Sequence, residues 1–518
     1  MPNKSRIEIN SEIWDETETI SGSSGWDFKQ YVLGILFYRF ISENLTNYIN
    51  ENQRNAGIRD FDYAVLKDDI AIKGRAEAIA EKGFFILPSE LFTNIKSKSS
   101  EDANLNETLA NIFRNIESSA IGTSSENAIR GLFDEIEVNS NKLGETVAKK
   151  NSKIASLLKL IGEWDLGNYS QETLNYFGDT YEHLITMYAS TAGKKGGDFF
   201  TPTSVSELLT RITLINKETL KKVYDPACGS GSLLLKFASI LGDGKVENGY
   251  YGQDENLTFY NLCRMNMFLH NINFEKFDIA HGDTLLNPKH WDDQPFDAIV
   301  SNPRFSKEWK GSDDILLIND PRFSPAGVLA PKSKHDMAFI MHTINWLAPD
   351  GIAALAQHPG VMYRSGAEKS IREYLISNNY VDCVIQLPHN LFFGVTIAPC
   401  ILVLKKNKSD KYVLFVNAEN EFGKLGSKNI LREEDISKII NWLILRDTDT
   451  FNTALIHNDE IAVNNYLLTV TSYVKSDDTR EKVNIKSLND TILRVVTQQN
   501  LLREKVNETV GEIDKEFN

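Results

Sequence analysis

The sequence is short of everything that would place it in a membrane or brace it covalently. It has no run of about 18 apolar residues, so no membrane-spanning helix is expected. The opening stretch MPNKSRIEINSEIWDE lacks the apolar segment of a secretory signal. Only four cysteines occur, Cys228, Cys263, Cys383 and Cys400, scattered and never as CxxC. That usage fits reduced thiols in the cytoplasm better than disulfides or zinc. The nine histidines form no HxxxH or HxH, so no metal site is expected. There is no internal repeat and no low-complexity tract. Positive charge is also in deficit, with 56 Lys and Arg against 71 Asp and Glu, a net charge of −15 and a pI of about 5.2. A chain that grips DNA by itself usually shows a basic footprint. The deficit predicts that any hold on DNA is a local stripe or is shared with a partner.

At 518 residues the chain is too long for one ordinary core, and two or three domains are expected. An apolar content of 42% and a charged content of 25% are globular values. Helical spacing runs through 26–50, with Phe28, Val32, Ile35, Leu36, Phe40 and Leu45 on one face, and recurs in 87–95, 106–117 and 150–161. Strand signals are weak before about 220, so 1–165 reads as a helical domain. From 220 to 418, eight apolar runs alternate with helical ones, starting at KKVYDPA (221–227) and ending at KYVLFVNA (411–418). Alternating βα units predict an α/β, doubly wound parallel sheet over 166–420, with ligands at the carboxyl ends of its strands. The remainder, 421–518, reads as helical. Ile485, Leu488, Ile492, Val495, Leu502, Val506 and Ile513 follow 3-4 spacing there, with Gln499 and Thr509 at the two gaps. That pattern fits a coiled-coil helix for subunit assembly, or an amphipathic helix on its own domain.

The chemistry is expected at four successive strand ends. The first gives Asp225-Pro226-Ala227-Cys228-Gly229-Ser230-Gly231 before a helix, a glycine turn that lets a ligand approach the backbone and a helix N-terminus. The second ends in Asp254, an acid placed to accept ribose hydroxyls or else to cap the helix from Leu257. The third ends in Asp283, which suits an adenine amino group or a plain turn. These three ends describe S-adenosyl-L-methionine (AdoMet) as well as NAD. The fourth decides between them. In Asn302-Pro303-Arg304-Phe305 an amide oxygen and a backbone carbonyl can accept the hydrogens of an exocyclic amine, and Phe305 can stack on its ring. Upstream, Gly197-Asp198-Phe199-Phe200-Thr201-Pro202 reads as a cover for the methionine end of AdoMet, with Thr201 as helix N-cap and Pro202 as first helical residue, or as an ordinary helix start.

GDFFTP, DPACGSG, GQDEN, HGDT and SNPxF, in this order, resemble the amino-methyltransferase motifs of the modification subunit of type I restriction-modification systems. The stretches 25–45, 261–272, 323–339 and 391–404 resemble that family too, so the likeness runs from about residue 10 to the end. The resemblance implies AdoMet-dependent adenine-N6 methylation of double-stranded DNA. It implies a helical N-terminal domain that helps hold DNA, two modification subunits per specificity subunit, and restriction subunits in the larger complex. By position, Gly197, Asp198, Phe199, Phe200, Thr201, Pro202, Asp225, Gly229, Ser230, Gly231, Asp254 and Asp283 would serve AdoMet, and Asn302, Pro303 and Phe305 the adenine. Two residues depart from the family pattern. Asp254 stands where glutamate is usual, one methylene shorter. Arg304 stands where the family has a second proline, adding a donor, flexibility and a cation. Three activities are thus expected in order of preference: an active adenine methyltransferase subunit, a non-catalytic assembly and DNA-clamping scaffold, and an amino-methyltransferase for another acceptor.

Overall fold

Continuous apolar runs such as Phe296–Ser301 and Cys400–Lys405 are buried almost throughout, the pattern of central strands covered on both faces. The computed structural model describes residues 25–166, 171–191, 200–392, 396–426, 428–449, 451–475 and 485–516. The eight expected runs form β1 (Leu220–Asp225), β2 (Val246–Asp254), β3 (Phe277–His281), β4 (Phe296–Ser301), β5 (Leu347–Gln357), β6 (Val381–Gln386), β7 (Cys400–Lys405) and β8 (Tyr412–Asn417). Strands β1 to β5 are mutually parallel, and β1 lies between β2 and β4. The chain therefore moves outward from β1 in both directions, and the crevice opens where those directions part.

The sheet is mixed rather than wholly parallel. β7 runs antiparallel to β5 and β6. No helix crosses over between β6 and β7 among the described residues, and antiparallel neighbours need none. The expectation that 421–518 is helical throughout is corrected. A hairpin of β9 (Gly423–Leu425) and β10 (Lys428–Ile430) precedes helix Glu433–Leu445, and β11 (Thr453–His457) then joins the sheet edge antiparallel to β8. TALIH is too short to show a strand period by itself; its pairing with β8 makes it one.

Before β1, helices Gly25–Asn55, Leu105–Ser119 and Val147–Glu163 appear as expected, and no strand occurs among the described residues. The helix expected over 87–95 starts only at Phe92, after a 3-10 turn at Pro88–Glu90. Leu105, Leu109, Ile112 and Ile116 share a buried face, as their three- and four-residue spacing requires. The helical part and the sheet belong to one compact unit, Met1–Val474. Arg264, on helix Leu257–Leu269, fastens them. Its Nη1 donates to the carbonyls of Asn127 and Arg130 at 3.0 and 2.7 Å, and its guanidinium lies 3.9 Å from the Tyr260 ring centre. The second unit, Lys475–Asn518, contains helix Ile485–Glu516. Leu488, Ile492, Val495, Leu502 and Val506 of the apolar stripe are exposed; the side chains of Ile485 and Ile513 fall outside the described residues. Among the described residues no helix is long and apolar enough to cross a membrane.

Replacing Arg264, itself almost wholly buried, removes its hydrogen bonds to several carbonyls at once. Arg264→Ala is expected to lower unfolding free energy by about 3 kcal/mol or more, read as a shifted urea midpoint.

Candidate active site

The turn after β1 is shaped by its glycines. Gly229 and Gly231 have φ of +53° and +82°, and a Cβ on Gly231 would sit 2.7 Å from Cys263 Sγ. The Cys228 N–H donates to the Gln253 carbonyl at 3.1 Å, which locks the turn onto β2, and helix Ser232–Leu241 begins at once. Gly229, Ser230, Asp254, Asp283, Asn302 and Pro303 line one cavity, so three of the four strand ends meet the fourth as expected.

The carboxylates play different parts. Asp254 accepts from the N–H of Gly229 at 3.0 Å and of Asn256 at 2.8 Å, and burial raises its pKa. Asn256, not Asp254, caps the following helix, accepting from the Phe259 N–H at 3.2 Å. Asp283 is both a cavity residue and a turn aspartate, accepting from the N–H of Leu285 at 2.9 Å. Asp225 differs from the expectation of ligand contact, because it lies beneath the cavity wall, fully buried. Its Oδ1 accepts from the Ala227 N–H and the Ser301 hydroxyl, both at 2.9 Å, while Oδ2 has no partner among the described residues. Burial, the largest influence, pushes its pKa up to about 7.

At the end of β4 the Asn302 amide nitrogen donates to Thr201 Oγ1 at 3.0 Å. Thr201 is thus a partner of the hook and not an N-cap. The helix starts at Thr203, and Pro202 precedes it with ψ of 136°, outside the helical range. Phe200 is buried beside them. Gly197, Asp198 and Phe199 lie outside the described residues. Phe305, expected with them, is not among the residues lining the cavity: it is half-buried and meets two rings edge-on, Phe392 at 6.0 Å and His358 at 6.3 Å.

Several cavity and loop residues carried no signal that sequence reasoning had used. Glu255 and Lys307 both line the cavity and form an ion pair across it. Asp336, at the start of helix Asp336–Trp346, accepts the Ser306 N–H at 3.1 Å. It lies in 323–339, one of the stretches that resemble the family. Away from the cavity, Asp278, His290 and Asp293 bring potential ligand atoms within 4.8 Å of one another, a grouping no sequence spacing announced. His290 bonds the Gly252 carbonyl at 2.9 Å there, fastening the β3–β4 connection to β2.

The N-6 DNA Methylase family matches residues 172–482, and the HsdM N-terminal domain matches 9–161. The methylase subunit of the type I restriction enzyme MpnII of Mycoplasma pneumoniae is 43% identical over 99% of this chain and 97% of its own length. The crystal structure of a type I restriction-modification methyltransferase subunit from Streptococcus thermophilus superposes with a TM-score of 0.82 at 30% identity, covering 91% of this chain and all of that one. A chain from a structural study of type I complex assembly and conformational transition shares the fold, with a TM-score of 0.63 at 16% identity, covering 98% of this chain and 99% of that one. The chain belongs to the N-6 DNA methylase family, among the AdoMet-dependent methylase subunits of type I restriction-modification systems.

Proposed function

We propose that the ends of β1 to β3 hold AdoMet, that the end of β4 holds an adenine flipped out of double-stranded DNA, and that Asn302, Pro303 and Phe305 position that adenine for N6 methylation. The single observation carrying this reading is the placement of Asn302 in the same cavity as the Gly229–Gly231 turn, with its side chain fixed by Thr201.

The residues present suit the cofactor. The glycine turn permits close approach, the helix N-terminus offers N–H groups, and Asp254 and Asp283 offer carboxylate oxygens. When bound, AdoMet supplies an electrophilic methyl group. The chain's own residues then do the positioning. Asn302 Oδ1 and the Pro303 carbonyl would each accept one hydrogen of the adenine amine, fixing the direction of its lone pair, and Phe305 would stack on the base. The nitrogen loses one proton once the new bond has formed, so no strong base is needed beforehand. A base inside the duplex cannot reach such a hook, so it must leave the stack. The net charge of −15 fits a chain whose grip and sequence reading come from a specificity subunit, assembled as two methylase subunits to one, with restriction subunits in the larger complex. The exposed stripe of helix Ile485–Glu516 is the surface we assign to that assembly.

Methyl transfer from labelled AdoMet to adenine, by this chain with its specificity subunit, tests the reading. Asn302→Ala is expected to lower the rate by about 100-fold while AdoMet binding changes little. Labelled adenine N6 in the wild type supports the active enzyme. No label, where Arg304→Pro does give label, would leave the scaffold reading standing.

The buried Asp225 makes a pH prediction. An ordinary carboxylate ionises near pH 4; in the fold Asp225 does so at about 7. Stability from the protonated form is present below about pH 4 and is lost as the pH rises through about 7. Asp225→Asn keeps the oxygen that accepts from Ala227 and Ser301. Its unfolding free energy is expected to gain on the wild type by a few kcal/mol between pH 5 and pH 8.

Charges on the C-terminal stripe test the assembly surface. Leu488→Asp with Ile492→Asp and Val495→Asp is expected to abolish co-purification with the specificity subunit and leave AdoMet binding intact.

A further inference from the structure

Arg304 departs from the family pattern at the centre of the hook. A proline there would fix φ and stiffen the loop; arginine does not. Yet the loop is held from outside. His335 Nε2 stands 2.6 Å from the Arg304 carbonyl oxygen, and the His335 backbone N–H donates to the Lys307 carbonyl at 2.9 Å. The neighbouring Asp336 accepts the Ser306 N–H through both carboxylate oxygens, at 3.2 and 3.1 Å. Ser306 itself has φ of +54°, a conformation a serine does not hold unaided.

The consequence falls on Phe305. The Arg304 carbonyl belongs to the peptide plane before Phe305, and the Ser306 N–H to the plane after it. Fixing both planes fixes the φ and ψ of Phe305, and with them the direction of its Cα–Cβ bond, from which the ring extends. A carbonyl only accepts, so His335 Nε2 must carry the proton. The ring is 7% exposed and packs edge-on against Phe339 at 4.9 Å. Burial lowers its pKa most, with Lys307 in the same direction and the Arg304 carbonyl, Asp336 and Glu255 opposing.

We propose that His335 is a positioning residue that takes over the stiffening role of the missing proline, by pinning the Arg304 carbonyl so that the backbone of the hook through Phe305 keeps its conformation for the target base. This rests on the reading of the hook as the adenine site. His335→Ala, measured in the complex with the specificity subunit and its DNA, is expected to slow methyl transfer about 30-fold with the KM for AdoMet within about threefold. Adding Arg304→Pro to that variant is expected to restore at least tenfold of the loss, and His335→Gln, which retains a donor, to lose less than His335→Ala. Hydrogen exchange of the 302–308 segment gives a readout that needs no turnover: it should quicken in His335→Ala and slow again in the double variant. A wild-type rate in His335→Ala, failure of Arg304→Pro to restore it, or unchanged exchange overturns the proposal. If the wild type itself methylates nothing, the adenine reading falls, and the exchange result still decides whether His335 pins the loop.

Discussion

The hydrogen bond from the Ser301 hydroxyl to Asp225, 2.9 Å long and fully buried, joins the last residues of β4 and β1. These adjacent parallel strands launch the two turns that matter, the glycine turn after Asp225 and the hook after Ser301. Strand pairing alone brings the ends side by side; Val223 pairs with Ala298 and Tyr224 with Ile299. The Asp225–Ser301 side-chain contact ties the two strand ends together beyond the last paired residues, beside the cavity. A carboxylate without water is unfavourable when ionised, and burial accordingly pushes the Asp225 pKa up to about 7 at this strand end.

Behind the cavity lies a second set of fixed carbonyls. Arg322, almost wholly buried and paired with Asp320 at 2.7 Å, donates to the carbonyls of Thr284 and Leu285 at 2.8 and 2.7 Å. The Thr284 hydroxyl in turn bonds the Pro226 carbonyl at 2.6 Å. The turns after β3 and β1 are thereby tied to each other and to the 320s segment. Asp254 and Asp283 reach the cavity with backbone N–H groups already on their oxygens. Such carboxylates are held in direction before any ligand arrives, which suits a reaction governed by placement more than by proton transfer.

The sequence made the strand ends legible because their position in a βα repeat fixes where they gather. DPACGSG, GQDE, HGDT and SNP needed only their order to be brought to one edge. What stayed hidden involves partners far apart in the chain. Burial sets the apolar period of a strand and says nothing of direction, so β7 looked like its parallel neighbours. Thr201 read as an N-cap because Thr-Pro before a helix is a common start; its hydroxyl instead serves Asn302, about 100 residues on. His335 and Asp336 stand at the start of a helix, and only the fold carries that helix end to the hook. Asp225 misled in the opposite sense: its motif is a ligand-binding one, but the side chain turns inward.

The helical region completes the division of labour. Arg264 reaches from a helix flanking the sheet to carbonyls at 127–130, so the helical part cannot shift as a body without breaking these hydrogen bonds. On helix Ile485–Glu516, Leu488, Ile492, Val495, Leu502 and Val506 are all exposed. An apolar surface of that length stays exposed only at a cost that burial in an interface would remove. A catalytic unit tied together by such contacts, with the assembly surface we propose on this helix, suits a methylase when another chain chooses the sequence. The chemistry then depends on one flipped base, and the acidic surface need not hold the DNA alone.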